Sequence, residues 1–151
     1  MSHITKIKVE INDLDALERA TAELGCTFMH NQTKYKWFGE WMGDSPMPEG
    51  LTQKDLGKCS HAIKVPGIDY EIGVVERKDK PGVFMLVYDS WDNVKAKHTN
   101  LISQKFGTSL ERFGQEYAIQ KISIEAESRG LVLDRVPLED GRVKLVMGGT
   151  L

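Results

Sequence analysis

Thiols and imidazoles are the side chains of this sequence best suited to metal binding or nucleophilic attack. Cys59 and His61 are separated only by Ser60, and folding could bring others to them: Cys26, His3, His30 and His98. Structural zinc sites usually pair their ligands at Cys-x2–4-Cys or His-x3–5-His spacings, and neither spacing occurs here. A thiolate beside an imidazole can attack a carbonyl, yet no local signature of such an enzyme surrounds either cysteine. We therefore expect no metal, no cofactor and no nucleophilic catalysis.

Two carboxylates form a second candidate site. Asp89 and Asp92 flank Trp91 directly after an apolar run. One interpretation is a turn in which the aspartate is satisfied by its own surroundings. Another is a pocket for a small molecule or a nucleotide near Asp89, with Tyr88, Trp91 and Tyr117 lining it. A third hypothesis is an enzyme that uses Asp89 or His61 for acid–base catalysis.

An aromatic cluster offers the best local prediction of binding. Tyr35, Trp37, Phe38 and Trp41 lie within seven residues, next to Lys34 and Lys36. In an extended segment the odd-numbered members would share one face. Such a face could stack a base or a ligand, or anchor a partner. The structural alternative is a cluster that covers the sheet or closes a small satellite core.

Composition and charge restrict the classes of partner. The 151 residues are 40% hydrophobic and 28% charged, which is ordinary for a globular protein, and the formal net charge is -2. That balance gives no general attraction to nucleic acid or to an anionic membrane. The basic group Lys95, Lys97, His98, Lys105 and Arg112 is therefore best explained as a solvated helix face. Neither Gly-x-Gly-x-x-Gly nor Gly-x4-Gly-Lys-Ser/Thr, the phosphate-binding patterns, is present.

Cysteine usage and hydropathy indicate a compartment. The sequence has two cysteines, and no apolar stretch approaches the length of a membrane span. Its first residues contain no apolar signal core. We expect a cytosolic protein whose thiols are reduced.

The first part of the chain predicts a strand, a helix and a stop. Ile7, Val9 and Ile11 alternate with polar residues, which is the period of a strand with one buried face. Asn12 is a good helix N-cap, and Gly25 is a left-handed stop. The helical residues that share a buried face are Leu14, Leu17, Ala20, Thr21 and Leu24. A second strand is expected at 26–30, followed by a long loop at about 32–58.

The middle of the chain predicts an antiparallel meander. Its strands are expected at 61–65, 70–74 and 83–88. In the second of these, Tyr70, Ile72 and Val74 alternate with Glu71 and Gly73, which places Glu71 on the opposite face. The third is a continuous apolar run, which is typical of a central strand.

The last part predicts a long helix and a hairpin. The segment 92–109 is polar and helical in part, and Ser109 can cap a helix that runs to Arg129. The buried stripe of this helix is expected to contain Leu110, Phe113, Tyr117, Ala118, Ile122 and Ala126. Strands at 131–138 and 142–147 flank Asp140-Gly141, a strong signal for a two-residue turn. The whole chain, 1–151, is thus predicted to be a single α+β domain, in which one antiparallel sheet has helices packed on one face.

The order of several short motifs resembles a known family. These motifs are the opening Met1-Ser2-His3-Ile4-Thr5-Lys6-Ile7-Lys8, then Tyr70-Glu71-Ile72-Gly73, Asp89 with Trp91, Gln115-Glu116-Tyr117-Ala118, and Glu139-Asp140-Gly141-Arg142-Val143-Lys144-Leu145-Val146. The set resembles the hypothetical chloroplast reading frame 35 family of cyanobacteria, plastids, other bacteria and phages. That family is a domain of unknown function, so the resemblance implies a fold and a compartment but no activity. The segments 37–59 and 93–114 are longer than the family pattern.

These observations favour a protein that binds rather than catalyses. We expect a non-enzymatic accessory or regulatory protein that contacts a protein partner through the aromatic loop and a sheet edge. A small-molecule or nucleotide binder with a pocket near Asp89 and Trp91 is the alternative, and the acid–base enzyme is a further one. Pro137 cannot donate a hydrogen bond to the ladder, so its strand is expected at an edge of the sheet or bulged. Self-association through such an edge is a further hypothesis, and the sequence fixes no number of copies.

Overall fold

A five-stranded antiparallel sheet forms the centre of the fold. The computed structural model describes residues 4–6, 10–37, 39, 47–48, 50–91 and 100–149. The strands are β1 (Ile4–Lys6), β2 (Thr27–Met29), β3 (His61–Lys64), β4 (Ile72–Glu76) and β5 (Phe84–Asp89), in the spatial order β1-β5-β4-β3-β2. The predicted meander of β3, β4 and β5 is confirmed, and every residue of β5 is buried, as expected for a central strand.

The first helix, α1 (Leu14–Glu23), has the predicted buried face but a different cap. Leu17, Ala20 and Thr21 are buried, as predicted. The N-cap is Asp13 and not Asn12, because the Asp13 carboxylate accepts a hydrogen bond from the Ala16 N–H at 3.1 Å. Sequence spacing could not separate two adjacent residues that are both good caps.

The other helices are α2 (Leu101–Phe106) and α3 (Glu111–Ser128). The predicted stripe of α3 is right at Phe113, Tyr117 and Ala126, which are buried. It is wrong at Ala118 and Ile122, which are exposed; Glu116 and Ile119 are buried in their place. The helix does not begin at a Ser109 cap either, since its N-cap is Leu110, which has a left-handed backbone with φ 52° and no side-chain cap bond.

The C-terminal hairpin forms a separate two-stranded sheet. It pairs β6 (Val132–Pro137) with β7 (Val143–Gly148) and shares no strand with the five-stranded sheet. The α+β class is therefore confirmed, but the prediction of one sheet is wrong. The turn is longer than predicted: Leu138 N–H bonds the Arg142 carbonyl at 2.8 Å, which leaves three residues in the loop. Gly141, at φ 85°, takes the left-handed position that such a loop requires.

Both faces of the five-stranded sheet are covered, and each cover has its own core. The helix-side core packs the three helices on one face, with Leu17, Leu86 and Phe106 among its buried members. The opposite face carries the loop-side core, in which the buried residues are Tyr35, Ala62, Met85 and Val87. Successive strand residues point to opposite faces, so the run from Met85 to Tyr88 feeds both cores in turn.

Candidate functional site

Cys59 and His61 lie on opposite faces of the sheet and do not form a dyad. Cys59 belongs to the loop-side core, where its thiol donates a hydrogen bond to the Gln32 carbonyl at 3.1 Å. Burial, with a smaller contribution from the nearby Glu71 charge, raises the pKa of the Cys59 thiol to about 12. A protonated thiol is a poor nucleophile. The arrangement therefore gives no support to cysteine chemistry.

His61 has a structural role on the helix side. Its ring lies 5.3 Å from that of Phe28 and 5.9 Å from that of Phe84, and its Nδ1 accepts a hydrogen bond from the Asn31 N–H at 2.9 Å. Burial and the neighbouring His30 lower the pKa of His61, which favours the neutral ring that this bond requires. Within the described part of the chain, no three His, Cys, Asp or Glu side chains are grouped as a metal site would need.

The proposed pocket near Asp89 and Trp91 is divided between the two faces of the sheet. Tyr88 lies in the helix-side core, where its hydroxyl contacts Ser103 Oγ at 3.0 Å and the Thr108 carbonyl. Asp89 is fully buried and follows Tyr88 in β5, so its side chain points to the opposite, loop-side face. Its Oδ1 accepts a hydrogen bond from the Trp91 N–H at 3.1 Å, which is the satisfied turn that the sequence offered as one interpretation.

Tyr117 is also committed to holding the fold together. Its hydroxyl oxygen accepts bonds from the N–H groups of Asn12 at 3.0 Å and Asp13 at 3.2 Å. It donates to the Asn12 side-chain oxygen at 3.1 Å, which explains why Asn12 does not cap α1. Tyr117 thereby ties the start of α1 to α3. A ligand-binding role near Trp91 receives no support from these contacts.

The aromatic segment is packed onto the loop-side face of the sheet. Tyr35 is 3% exposed and lies against Gly73 of β4, where an added Cβ would come within 2.5 Å of its ring. Trp37 is half-buried and lies against Gly57, where an added Cβ would come within 2.5 Å of the indole Nε1. Phe38 and Trp41 lie outside the described residues. The structural interpretation thus holds for Tyr35, while Trp37 keeps part of its surface accessible.

A cleft opens beside Trp37, and we call it the indole cleft. Its volume is about 290 Å³, and its lining consists of Lys34, Tyr35, Trp37, Leu56, Gly57 and Lys58. Lys34 and Lys58 face each other across an isolated antiparallel bridge, and both are exposed. Among the described residues neither lysine has a carboxylate partner. The cleft therefore combines a fixed indole edge with two lysines that have no carboxylate partner in the described part of the chain.

Asp55, three residues before Lys58, is paired with another lysine. Asp55 sits in the short 3-10 helix Gln53–Asp55, and its carboxylate accepts bonds from Lys78 Nζ at 2.9 and 3.0 Å. These bonds, with one from the Thr52 backbone, lower the pKa of Asp55 to about 2. A neighbouring cleft of about 190 Å³ is lined by Asp55, Lys78 and Lys58, and the carboxylate of Asp55 there pairs with Lys78 and not with Lys58.

Sequence reasoning missed Gly57, Gly73 and Glu71 as determinants of this site. The two glycines leave the space that the aromatic rings fill. Glu71 is buried against expectation, and its Oε1 accepts bonds from the Lys36 N–H at 2.9 Å and from Gln32 Nε2 at 3.0 Å. Glu71, which the strand pattern placed on the face opposite Ile72 and Val74, thus fixes the aromatic segment. The glycines were visible in the sequence, but nothing there showed that Gly57 would contact Trp37 or that Gly73 would contact Tyr35.

Comparison with known proteins identifies no relative. No family model, no curated protein and no solved structure matches this chain. No helix within the described ranges is long and apolar enough to cross a membrane.

Proposed function

We propose that this is a non-enzymatic binding protein whose indole cleft holds an acidic segment of a partner protein. The observation that carries the proposal is the half-buried indole of Trp37, fixed against Gly57 and flanked by the cations of Lys34 and Lys58. Tryptophan is enriched among the residues that dominate binding energy at protein interfaces. Its value depends on a rigid, preorganised position, and the Gly57 contact supplies that position.

The two lysines favour an acidic partner. Elsewhere on the surface, Arg19, Arg77 and Arg129 each have a carboxylate within 3.1 Å, so their charges are satisfied within the chain. Lys34 and Lys58 have no such partner among the described residues. Carboxylates on a bound segment would pair with both lysines at the rim of the cleft, and such rim pairs act chiefly on the association rate and its salt dependence.

The shape of the cleft and the nearby sheet edge favour a peptide segment over an enclosed ligand. Small-molecule pockets commonly have roughly 300–1,000 Å³ and bury most of the ligand, whereas the indole cleft has about 290 Å³ and lies at the surface. β2 is an edge strand of the five-stranded sheet. The segment 32–34 continues the same edge, because the Thr33 carbonyl accepts from the Cys59 N–H at 3.0 Å, and its Lys34 carbonyl already accepts from Gln32 Nε2 at 2.7 Å. An extended peptide could therefore pair with the backbone of β2 and place one side chain toward the cleft.

The resemblance to the hypothetical chloroplast reading frame 35 family is compatible with this proposal. Because that family has no assigned activity, the resemblance adds an expected compartment and no activity. The aromatic segment falls where the chain is longer than the family pattern. A binding site there would accordingly be a property of this member.

The proposal is tested with cleft variants and a matched charge control. Partners are captured from source cells on the wild-type protein, identified, purified and titrated by calorimetry. Trp37→Ala is expected to weaken binding by about 30-fold, which corresponds to a loss of about 2 kcal/mol. Lys34→Glu with Lys58→Glu is expected to slow association with the acidic segment and to invert its salt dependence, because salt then screens a repulsion. Lys54→Glu with Lys64→Glu, at exposed sites outside the cleft lining, should bind as wild type does.

Three outcomes would contradict the proposal. The first is equal binding of the partner by all variants. The second is specific turnover in a substrate screen that a single polar substitution abolishes. The third is a small molecule, seen as extra mass in native mass spectrometry and lost on denaturation, which would move the conclusion to ligand binding.

A further inference from the structure

The C-terminal hairpin carries most of the exposed apolar side chains that the structure describes. Seven large hydrophobic residues are exposed within the described ranges, and five of them belong to the hairpin: Val132, Val136, Leu138, Val146 and Met147. No described hairpin residue belongs to the helix-side or the loop-side core. An isolated two-stranded hairpin is marginally stable in water and needs either further strands or packing against a helix. α3 supplies such packing on the side of β6, but these five apolar side chains stay exposed to solvent in a single copy of the chain.

The attachment of the hairpin leaves β7 as its accessible strand. α3 lies against β6, and Arg135 of β6 forms a bidentate pair with the buried Glu116 of α3, with both N–O distances at 2.8 Å. β7 pairs only with β6 in the described structure. Its second edge is thus open, while β6 is held beside the helix.

The direction of the free backbone groups on β7 follows from the hairpin register. Leu138 and Arg142 form a hydrogen-bonded pair at the loop. Hydrogen-bonded and non-bonded pairs alternate along an antiparallel ladder, so Lys144 and Val146 also bond β6. The N–H and C=O groups of Val143, Leu145 and Met147 consequently point outward.

The sequence of β7 suits its open edge to pairing with another strand. β7 contains no proline and one charge, whereas the outward positions of β6 include Pro137, which lacks a donor. A long, flat, apolar edge is a template for another strand. β7 rather than β6 is therefore the edge that can pair.

We propose that two copies of this protein associate through antiparallel pairing of their β7 strands, with Leu145 opposite Leu145 of the second copy. In this register Val143 lies opposite Met147 of the second copy, and Lys144 lies opposite Val146. All three outward-pointing residues then exchange backbone hydrogen bonds. The two hairpins become one four-stranded sheet, and no two like charges lie opposite each other across the β7 pairing.

Neighbouring registers are less favourable for physical reasons. Centring the two-fold axis on Lys144 places the two lysines directly opposite each other, which is destabilising. Centring it on Val146 leaves Val143 without a partner and reduces the number of bonded pairs. Registers that oppose an outward residue to an inward one cannot form the ladder at all. A strand with this self-complementary pattern favours a second copy over an unrelated chain.

The register can be tested by charge rescue in purified protein. Light scattering after size exclusion should give the wild-type mass of two chains. Val143→Lys with Met147→Lys places like charges opposite each other at both ends of the pairing, and we expect a single chain. Val143→Glu with Met147→Lys removes the same apolar groups but opposes unlike charges, and we expect the mass of two chains to return. Residues 143 and 147 are on the same strand, and each faces a proline or a leucine within its own hairpin.

A disulfide provides a second, geometric test. Directly opposite residues in a bonded pair have Cα atoms about 5.5 Å apart, within the range of roughly 4.4–6.8 Å that a disulfide spans. Leu145→Cys should therefore form a covalent dimer with oxidised glutathione, whereas Lys144→Cys, about 7–8 Å from its equivalent, should not. A monomeric wild type, equal masses for the two charge variants, or equal cross-linking of both cysteine variants would each overturn the proposal. None of these results depends on the indole cleft.

Discussion

The contact between Gly73 and Tyr35 makes a substitution of this glycine the sharpest test of how the aromatic segment is held. An alanine Cβ at Gly73 would come within 2.5 Å of Tyr35 Cδ1 and 2.8 Å of Cε1. Ordinary contact begins at 3.4 Å, so the ring would have to retreat by about 1 Å. Overpacking of this kind costs about 1–3 kcal/mol, and the gain of alanine over glycine in a strand offsets about 0.5–1 kcal/mol. We expect Gly73→Ala to lower the free energy of unfolding by about 1 kcal/mol.

Urea denaturation measures this change, and a double-mutant cycle identifies its cause. Tyr35→Ala alone should cost about 3–5 kcal/mol because it leaves a cavity. In the double variant the clash is absent, so the two losses should not add, and the second change should cost little or be favourable. Gly148→Ala is the matched control, since an added Cβ there meets nothing within 4 Å. Additive losses, or a neutral Gly73→Ala, would refute the packing argument.

Two further predictions concern the helix side and the hairpin. Because the pKa of His61 is lowered in the fold, its contribution to stability is present above the unfolded pKa of about 6.5 and is lost as the pH falls from there toward the folded value. Denaturation at several pH values should show this loss, and His61→Asn, which keeps an acceptor for the Asn31 N–H, should flatten it. Glu116→Gln should cost about 1–2 kcal/mol, because Arg135 loses a bidentate carboxylate but can still reach water. Amide hydrogen exchange in the hairpin should then be faster in the variant than in the wild type, with a smaller change in β5. An unchanged exchange rate in the hairpin would show that the Arg135–Glu116 pair does not hold it.

Periodicity predicted the elements of the fold better than their buried faces. The period-two and apolar patterns located β4 and β5, and Gly25 ended α1 as expected. The stripe of α3 was wrong at Ile122 because the neighbours of a helix decide which of its faces is covered. Arg135 of the hairpin pairs with the Glu116 carboxylate, which lets this acidic residue be buried. No pattern within the helix itself contains that information.

The sequence predicted one grouping of site residues correctly and another wrongly. The sequence selected Tyr35 and Trp37 as a pair of aromatic residues beside lysines, and the structure places both on one face of the sheet, next to Lys34. It also grouped Tyr88 with Asp89, which the fold separates. Adjacent residues of a strand point to opposite faces, and a buried sheet has a different core behind each face. Proximity in sequence therefore indicated a shared site only where the segment was irregular.

The α+β class, the order of the strands and helices, and a charge balance that disfavours general attraction to nucleic acid all follow from the amino-acid sequence. Each of these depends on local patterns of polarity or on composition, which are complete without any long-range contact. Three other features follow from the fold alone: Trp37 rests on Gly57, Lys34 is bridged to Lys58, and β7 keeps an open edge. These features join residues that are far apart in the chain or depend on which strands pair, and such pairings are selected by the packing of the whole molecule.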